Sequence, residues 1–273
     1  MQDLAGKVAV VTGGARGAGL GLARAFAERE MRVVLADIDE TALDAAVDSV
    51  QTGGAEAIGI VADVTDPQAL ADLRDATFSR FGTAHVLCNN GGPASTPPLD
   101  QPIDIEQWKQ AMDLLVYSVL HGINAFLPRF LEQREGHIVN TASRAALVPV
   151  PVLGAYSPAK SAVLSISEVL HAALSERGAR VGVSVLTPGF LRTERSLAAR
   201  AGADRGELID PVLEKFLTDR MASAVDPVDL GRLTVRAIMA NALYVNTHHE
   251  TFEWLDERVA RMVADADRIG TVR

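Results

Sequence analysis

Val8-Ala9-Val10-Val11-Thr12-Gly13-Gly14-Ala15-Arg16-Gly17-Ala18-Gly19 is the stretch that decides the fold. Residues 7–11 read as a buried strand, because β-branched side chains dominate and no polar face alternates. A glycine-dense turn follows, and Leu20, Leu22, Ala23, Ala25, Phe26 and Ala27 then bury one side of a helix. Strand, turn and helix N-terminus together make an anion site. Gly13, Gly17 and Gly19 let backbone N–H groups approach a pyrophosphate, and the helix dipole favours its negative charge. Taken alone, a glycine turn marks only a tight strand-to-helix connection. The second strand, residues 32–36, adds the other half of the signal. It ends at Asp37, about 20 residues past Gly17, where a dinucleotide-binding fold places its ribose-binding acid.

Working outward, a helix over 40–50 is ended by Gly53-Gly54, and 57–61 is a third strand. Thr65-Asp66-Pro67 starts a helix that runs to Phe81 and is closed by Gly82. A fourth strand, 86–89, leads to a long helix over 105–132, with Pro128 near its end, and then to a fifth strand, 136–141. The apolar stretch 145–153 is broken by Pro149 and Pro151 and reads as a loop wall, not a helix. Pro158 opens a helix that ends at Arg177-Gly178, and 181–186 is the sixth strand. A polar, Arg- and Ala-rich stretch runs to about Ser223. Beyond it come a helix over 227–240, the short apolar segment Leu243-Tyr244-Val245 and a charged helix over 250–269. Strands alternating with helices predict an α/β fold: one doubly wound parallel sheet of the Rossmann kind, spanning 1–273 as a single domain. Ligands then sit at the carboxyl ends of the strands, where Asp37, Asp63, Asn89, Asn90, Ser143, Pro188 and Gly189 all fall.

The 273 residues carry a net charge of −9, which argues against nucleic-acid and anionic-membrane partners. No apolar run reads as approaching the ~20 residues of a membrane span. Met1-Gln2-Asp3-Leu4 leads almost straight into the first strand, so a cytoplasmic protein without a secretory signal is expected. The single cysteine, Cys88, reads as a small buried residue. His121, His137 and His171 stand singly, and His248-His249 lacks a third ligand at metal spacing, so no catalytic metal is expected.

Tyr156 and Lys160 are an i, i+4 pair and share one face of their helix, downstream of Ser143. This Ser … Tyr-x-x-x-Lys pattern resembles the signature of the short-chain dehydrogenase/reductase family. So do the T-G-x-x-x-G-x-G turn and Pro188-Gly189-Phe190-Leu191-Arg192-Thr193, which matches P-G-x-x-x-T. The resemblance covers nearly the whole chain and implies a nicotinamide-dependent oxidoreductase. It makes Tyr156 the general acid/base, Lys160 the group that tunes it and bonds the nicotinamide ribose, and Ser143 the holder of the substrate oxygen. A free phenol titrates near ~10, so a neighbouring ammonium and the cationic nicotinamide are expected to lower Tyr156. The resemblance also places Asp63 and Val64 at the adenine, Asn90 and Gly91 at the cofactor, and Thr193 at the nicotinamide carboxamide. For Asp63 a loop cap is the equal alternative. Asp37 argues for NAD, since a carboxylate at the ribose repels a 2′-phosphate, while Arg16 pulls toward NADP. The resemblance also implies a homotetramer or homodimer, paired through the long helices over 105–132 and 157–177.

Two positions depart from the family pattern. Gly91 replaces the usual Ala of N-N-A-G, and Leu115 stands where the long helix usually carries an Asn that anchors a water beside the lysine. Ser118, one turn on, is a partial substitute. The expected substrate wall combines 145–153, Pro93, Phe190, Leu191 and a segment over about 188–225. It is mostly apolar, which suggests a hydrophobic secondary alcohol or ketone, and Arg192 and Arg195 add a possible anion contact. The tail Asn241-Ala242-Leu243-Tyr244-Val245 with its charged helix resembles family members that oxidise bulky aryl or polycyclic alcohols. A non-catalytic NAD-binding protein, to which Leu115 lends weight, and an NAD-assisted dehydratase or epimerase are the alternatives.

Overall fold

The computed structural model describes residues 1–92, 96–194, 196–197 and 223–270. Pro93, Arg195 and residues 198–222, part of the expected substrate wall, lie outside the described residues. Seven strands form one sheet: β1 Val8–Thr12, β2 Arg32–Asp37, β3 Ala57–Val61, β4 Val86–Asn89, β5 Gly136–Thr141, β6 Val181–Thr187 and β7 Tyr244–Asn246. Their order is β3-β2-β1-β4-β5-β6-β7, and every pair is parallel. The short apolar segment at 243–245 is therefore an edge strand, with Val185 opposite Tyr244 and Leu186 opposite Val245.

Side chains alternate across the sheet and build two cores. Ala9 and Val11 of β1 face one side with Val33, Leu35, Val139 and Leu186. There they meet α1 Gly17–Ala27, α2 Glu40–Thr52 and, beyond the substrate segment, the helix Pro227–Ala240. Val8 and Val10 face the other side with Val34, Leu87, Ile138 and Val183, under α3 Pro67–Phe81 and the helices that follow it. Aspartate N-caps start several helices: Asp39 accepts from Ala42 N at 3.0 Å, and Asp66 from Gln68 N at 2.8 Å.

The expected helix over 105–132 is not continuous. It divides into α4 Ile105–Met112, a π-helical turn Asp113–Tyr117 and α5 Ser118–Glu132. The wider turn displaces the Leu114 carbonyl, which the Ser118 hydroxyl satisfies at 2.6 Å. Ile105–Glu132, with a mean hydropathy of 1.3 in its most apolar window, also meets the length and composition of a membrane span, which corrects the expectation of no such run. In the fold, 44% of that window is buried inside the protein.

Residues 145–153 differ from the expected loop as well. They contain the short helix α6 Arg144–Leu147 and a 3₁₀ turn, Pro151–Leu153. Ser143 caps α6 by accepting from Ala145 N at 3.1 Å, and Pro151 takes a first-turn position where its missing N–H costs nothing. The remaining helices are α7 Tyr156–Glu176, α8 Pro227–Ala240 and α9 Glu250–Ile269. Thus α7 begins two residues before Pro158, which sits within its first turn.

Glycine sets how closely the layers approach. A Cβ on Gly122 of α5 would lie 1.9 Å from Asn89 Oδ1 at the end of β4. Asn89 in turn donates to Asn140 Oδ1 at 2.9 Å, and Asn140 to Ser167 Oγ at 3.0 Å, so a buried polar chain links β4, β5 and α7. Gly122→Ala must push α5 off this chain and is expected to cost about 1–3 kcal/mol. Urea unfolding measures it, and an unchanged midpoint would contradict the contact.

His137 lies buried in β5 with Nε2 at 2.8 Å from Ser184 Oγ, whose own proton goes to Ala242 O. Burial pushes its pKa down to about 3 from the usual 6.5, so the folded protein keeps it neutral. Between those values the unfolded chain binds the extra proton. Stability contributed by neutral His137 is therefore lost as pH falls from about 6.5 toward 3, at about 1.4 kcal/mol per pH unit. Chemical denaturation at stepped pH should show this slope reduced by that amount in His137→Gln; equal slopes would refute the assignment.

Candidate active site

The carboxyl ends of β1, β4, β5 and β6 meet where the strand order reverses direction, between β1 and β4. Thr12 begins the junction. Its hydroxyl donates to Cys88 O at 3.2 Å and accepts from Asn90 N at 2.9 Å, while Asn90 Nδ2 donates to Thr12 O at 3.3 Å. Asn90, expected to touch a cofactor, thus spends its side chain on the glycine turn. Gly13 has φ +59°, and a Cβ there would lie 2.2 Å from Asn90 O. At Gly19 a Cβ would fall 1.9 Å from Gly13 O, so only glycine lets α1 start against the turn. Arg16, the N-cap residue of α1, makes no side-chain cap, which leaves the first-turn N–H groups without a side-chain acceptor from it.

Around this turn the sequence candidates divide. Asp37 Oδ2 accepts from Ala15 N at 3.1 Å and Oδ1 from Asp39 N at 3.2 Å, so the carboxylate organises the loop where it stands, half-exposed at the end of β2. Arg16 turns to Asp39 at 2.8 Å, an exposed pair. Asp63 caps its own loop, accepting from Thr65 N at 2.8 Å and Thr65 Oγ1 at 2.7 Å, and the Val64 carbonyl lies 3.2 Å from His121 Nδ1. Thr193 packs on the start of α1, its methyl 3.3 Å from where a Cβ of Gly17 would be. Its hydroxyl engages Ser196.

Gly91 packs against the π-helical turn, which also carries Leu115. A Cβ on Gly91 would lie 2.9 Å from Leu114 O and 3.4 Å from Ser118 Oγ, so the turn has taken the space of the usual alanine. Leu115 itself is buried in an apolar cluster with Val116 and Ala159, against Met112, Tyr156, Ala162 and Ile166.

Ser143, Tyr156 and Lys160 come together at the end of β5. The Ser143 side chain acts on the Tyr156 phenol and favours its ionised form. Lys160 Nζ, on a residue 4% exposed, donates to Thr141 O at 2.7 Å and lies 5.7 Å from the Tyr156 ring centroid. Burial pushes the lysine down to about 8. In the chain itself Tyr156 is raised by burial, opposed only by the Ser143 side chain. The expected lowering by Lys160 is thus not met by the protein groups alone. Thr141 Oγ1 is buried without a partner beside them. The Lys160 acceptor is a backbone carbonyl, so no side-chain pattern could have announced it.

Pro188 and Gly189 follow β6. Pro188 O accepts from Arg144 N at 2.9 Å, which ties the turn to the residue after Ser143. A bridge between Leu191 and Val225 closes the base of the segment that leaves and re-enters here. Among the described residues no three His, Cys, Asp or Glu side chains gather as metal ligands. A groove of about 850 Å³, lined by Gln133, Arg134, Arg180 and Asn241 among others, opens at the other end of β5 and β6 and shares none of these groups.

Residues 7–204 match the family model described as short chain dehydrogenase. The chain is 37% identical over 203 residues to a 1-deoxy-11-beta-hydroxypentalenate dehydrogenase of Streptomyces exfoliatus, covering 72% of each. It is 30% identical over 270 residues to a C alpha-dehydrogenase of a Sphingobium strain, covering 96% of this chain and 87% of that one. Among solved structures, a short chain dehydrogenase/reductase from Burkholderia phymatum in complex with NAD superposes with a TM-score of 0.87 at 34% identity, over 97% of both chains. This chain belongs to the short-chain dehydrogenase/reductase family of oxidoreductases.

Proposed function

We propose that this oxidoreductase moves a hydride between NAD and a bulky, hydrophobic secondary alcohol or the matching ketone, with 1–273 acting as one catalytic unit. One observation carries the reading: a buried Lys160 ammonium that, among the described residues, donates to the Thr141 carbonyl, one turn from a Tyr156 on which Ser143 acts. An ammonium out of water with one neutral acceptor is costly unless further acceptors reach it. The hydroxyls of a nicotinamide ribose are acceptors of that kind, and the uncapped start of α1 suits the pyrophosphate.

Asp37, at the end of β2, would accept the adenosine ribose hydroxyls and repel a 2′-phosphate. Arg16, the cation that would welcome that phosphate, is engaged by Asp39. Both favour NAD over NADP. Asn90 and Gly91 support the cofactor through the turn they shape, Thr193 from above Gly17, and Pro188-Gly189 through the wall beside Ser143. Asp63 and Val64 serve the adenine side through a capped loop.

Bound NAD supplies the hydride acceptor for oxidation, and its reduced form supplies the donor for reduction. Ser143 donates to the substrate oxygen. Tyr156 takes the alcohol proton or returns it to the carbonyl, and the Lys160 charge favours the phenolate. Because burial raises Tyr156, the protein groups favour its acid form, so alcohol oxidation gains with rising pH. The wall at 145–153, with Phe190 and Leu191 at the start of the substrate segment at about 188–225, is largely apolar. The Streptomyces relative, named as a dehydrogenase of a hydroxypentalenate, supports a hydroxyl on a bulky hydrophobic skeleton. Exposed Tyr117, Leu120 and Val169 on α4–α5 and α7 support assembly as a homodimer or homotetramer. A cytoplasmic location belongs to the same reading.

Tyr156→Phe keeps the ring and removes the acid/base, so single-turnover hydride transfer should fall by about 10²–10⁴-fold while NAD(H) binding barely changes. Equal rates would defeat the mechanism and favour the non-catalytic reading that Leu115 invites. Fluorescence titration should show NAD(H) bound more tightly than NADP(H), with Asp37→Ala narrowing the gap. Tighter NADP(H) binding by the wild type would overturn the cofactor assignment.

A further inference from the structure

The segment between β7 and α9 carries a hydrogen-bond chain that the proposed reaction does not use. His248 is 7% exposed, and its Nε2 lies 2.8 Å from Ser223 O. A carbonyl only accepts, so Nε2 carries a proton, and in the Nε2–H tautomer Nδ1 is the acceptor. Nδ1 therefore accepts from the Thr247 hydroxyl at 2.6 Å, and that oxygen accepts from Gly189 N at 2.9 Å. The donors all point one way: Gly189 to Thr247, Thr247 to His248, His248 to Ser223. The imidazole also packs flat on the turn, because a Cβ on Gly189 would lie 2.4 Å from His248 Nδ1.

Gly189 and Ser223 stand at the two ends of the segment whose base the Leu191–Val225 bridge closes. Val225 N donates to Phe190 O at 3.0 Å, and Arg192 N to Val225 O at 2.9 Å. On its outgoing arm sits Thr193, packed against Gly17. Immediately before Gly189, Pro188 O holds Arg144 N beside Ser143. One imidazole thus ties together the returning arm, the turn that carries Thr193 and, through Pro188, the Ser143 loop.

We propose that His248 is a positioning residue, a neutral Nε2–H imidazole that pins both ends of the substrate segment and so fixes Thr193 over the cofactor turn. It does not touch the reacting atoms. The inference rests on the NAD-dependent reading of the same site, and its first readout is independent of that reading. Hydrogen exchange of the ligand-free protein reports directly on Gly189 N–H and Val225 N–H. In His248→Ala both should exchange about tenfold faster, as for one lost hydrogen bond, while amides of β1 keep their protection. His248→Gln retains an N–H donor toward Ser223 O and should restore Val225. Thr247→Val should expose Gly189 alone, and it serves if His248→Ala fails to fold.

By fluorescence titration, His248→Ala should weaken NAD(H) by about tenfold, and the KM of the alcohol should rise with it. The midpoint of the pH–rate profile should stay at the wild-type value. Unchanged exchange at Gly189 and Val225 in a folded His248→Ala would overturn the proposal. So would a glutamine variant no better than alanine, or a moved pH midpoint, which would make His248 a proton-transfer group. If the wild type binds no NAD(H), the functional reading fails, and exchange alone still decides the tether.

Discussion

Thr12 and Asn90 hold the molecule together at the point where its chain changes direction. The Thr12 hydroxyl joins the end of β1 to the end of β4, and Asn90 returns two bonds to the same residue. Both groups are buried, so breaking one leaves the other unsatisfied in a place water does not reach. With that junction fixed, the glycine turn has one conformation, α1 starts where its dipole faces the crevice, and β5 and β6 line up beside β4. The catalytic candidates on β5 and α7 are set against the turn by sheet register rather than by direct contact.

A second constraint is dielectric. Lys160 is buried and Tyr156 half-buried in the layer between sheet and helix, so each is pushed toward its neutral form. The apolar cluster around Leu115 deepens this effect, since it packs directly on Tyr156. A leucine there replaces a polar contact with a dry wall. The pair then relies on Ser143, Thr141 O and whatever hydroxyls a ligand brings.

The sheet was legible because its central parallel strands read as runs rich in Val, Ile and Ala, and β1, β2 and β4 ran into Gly13, Asp37 and Asn89. The Ser143, Tyr156 and Lys160 group was legible from spacing. The features that escaped depend on backbone. The π-helical turn hides in a sequence with ordinary helical periodicity, because the displaced carbonyl leaves no mark on residue type. The α6 helix was hidden by two prolines that lie just beyond it. β7 is only three residues long, shorter than a pattern of alternation can reveal. Asn90 and Asp37 stood out by position, and their side chains serve the turn itself. Thr247 and His248 gave no signal of their chain of bonds, since Gly189 and Ser223 lie 58 and 25 residues away.

Strand order has a consequence for the growing chain. β1 pairs with β2 early, Val8 opposite Arg32, but its other edge waits for β4, with Ala9 opposite Val86. At ribosomal rates of about 5–20 residues per second, that edge stays open on the order of 3–15 seconds. During this time a valine-rich strand, destined for the centre of the sheet, offers unpaired N–H and C=O groups and two bare apolar faces. The stretch that organises the finished protein is therefore a sticky template while the chain is incomplete. Its tolerance of crowding, temperature and slow translation is set by how soon β4 arrives.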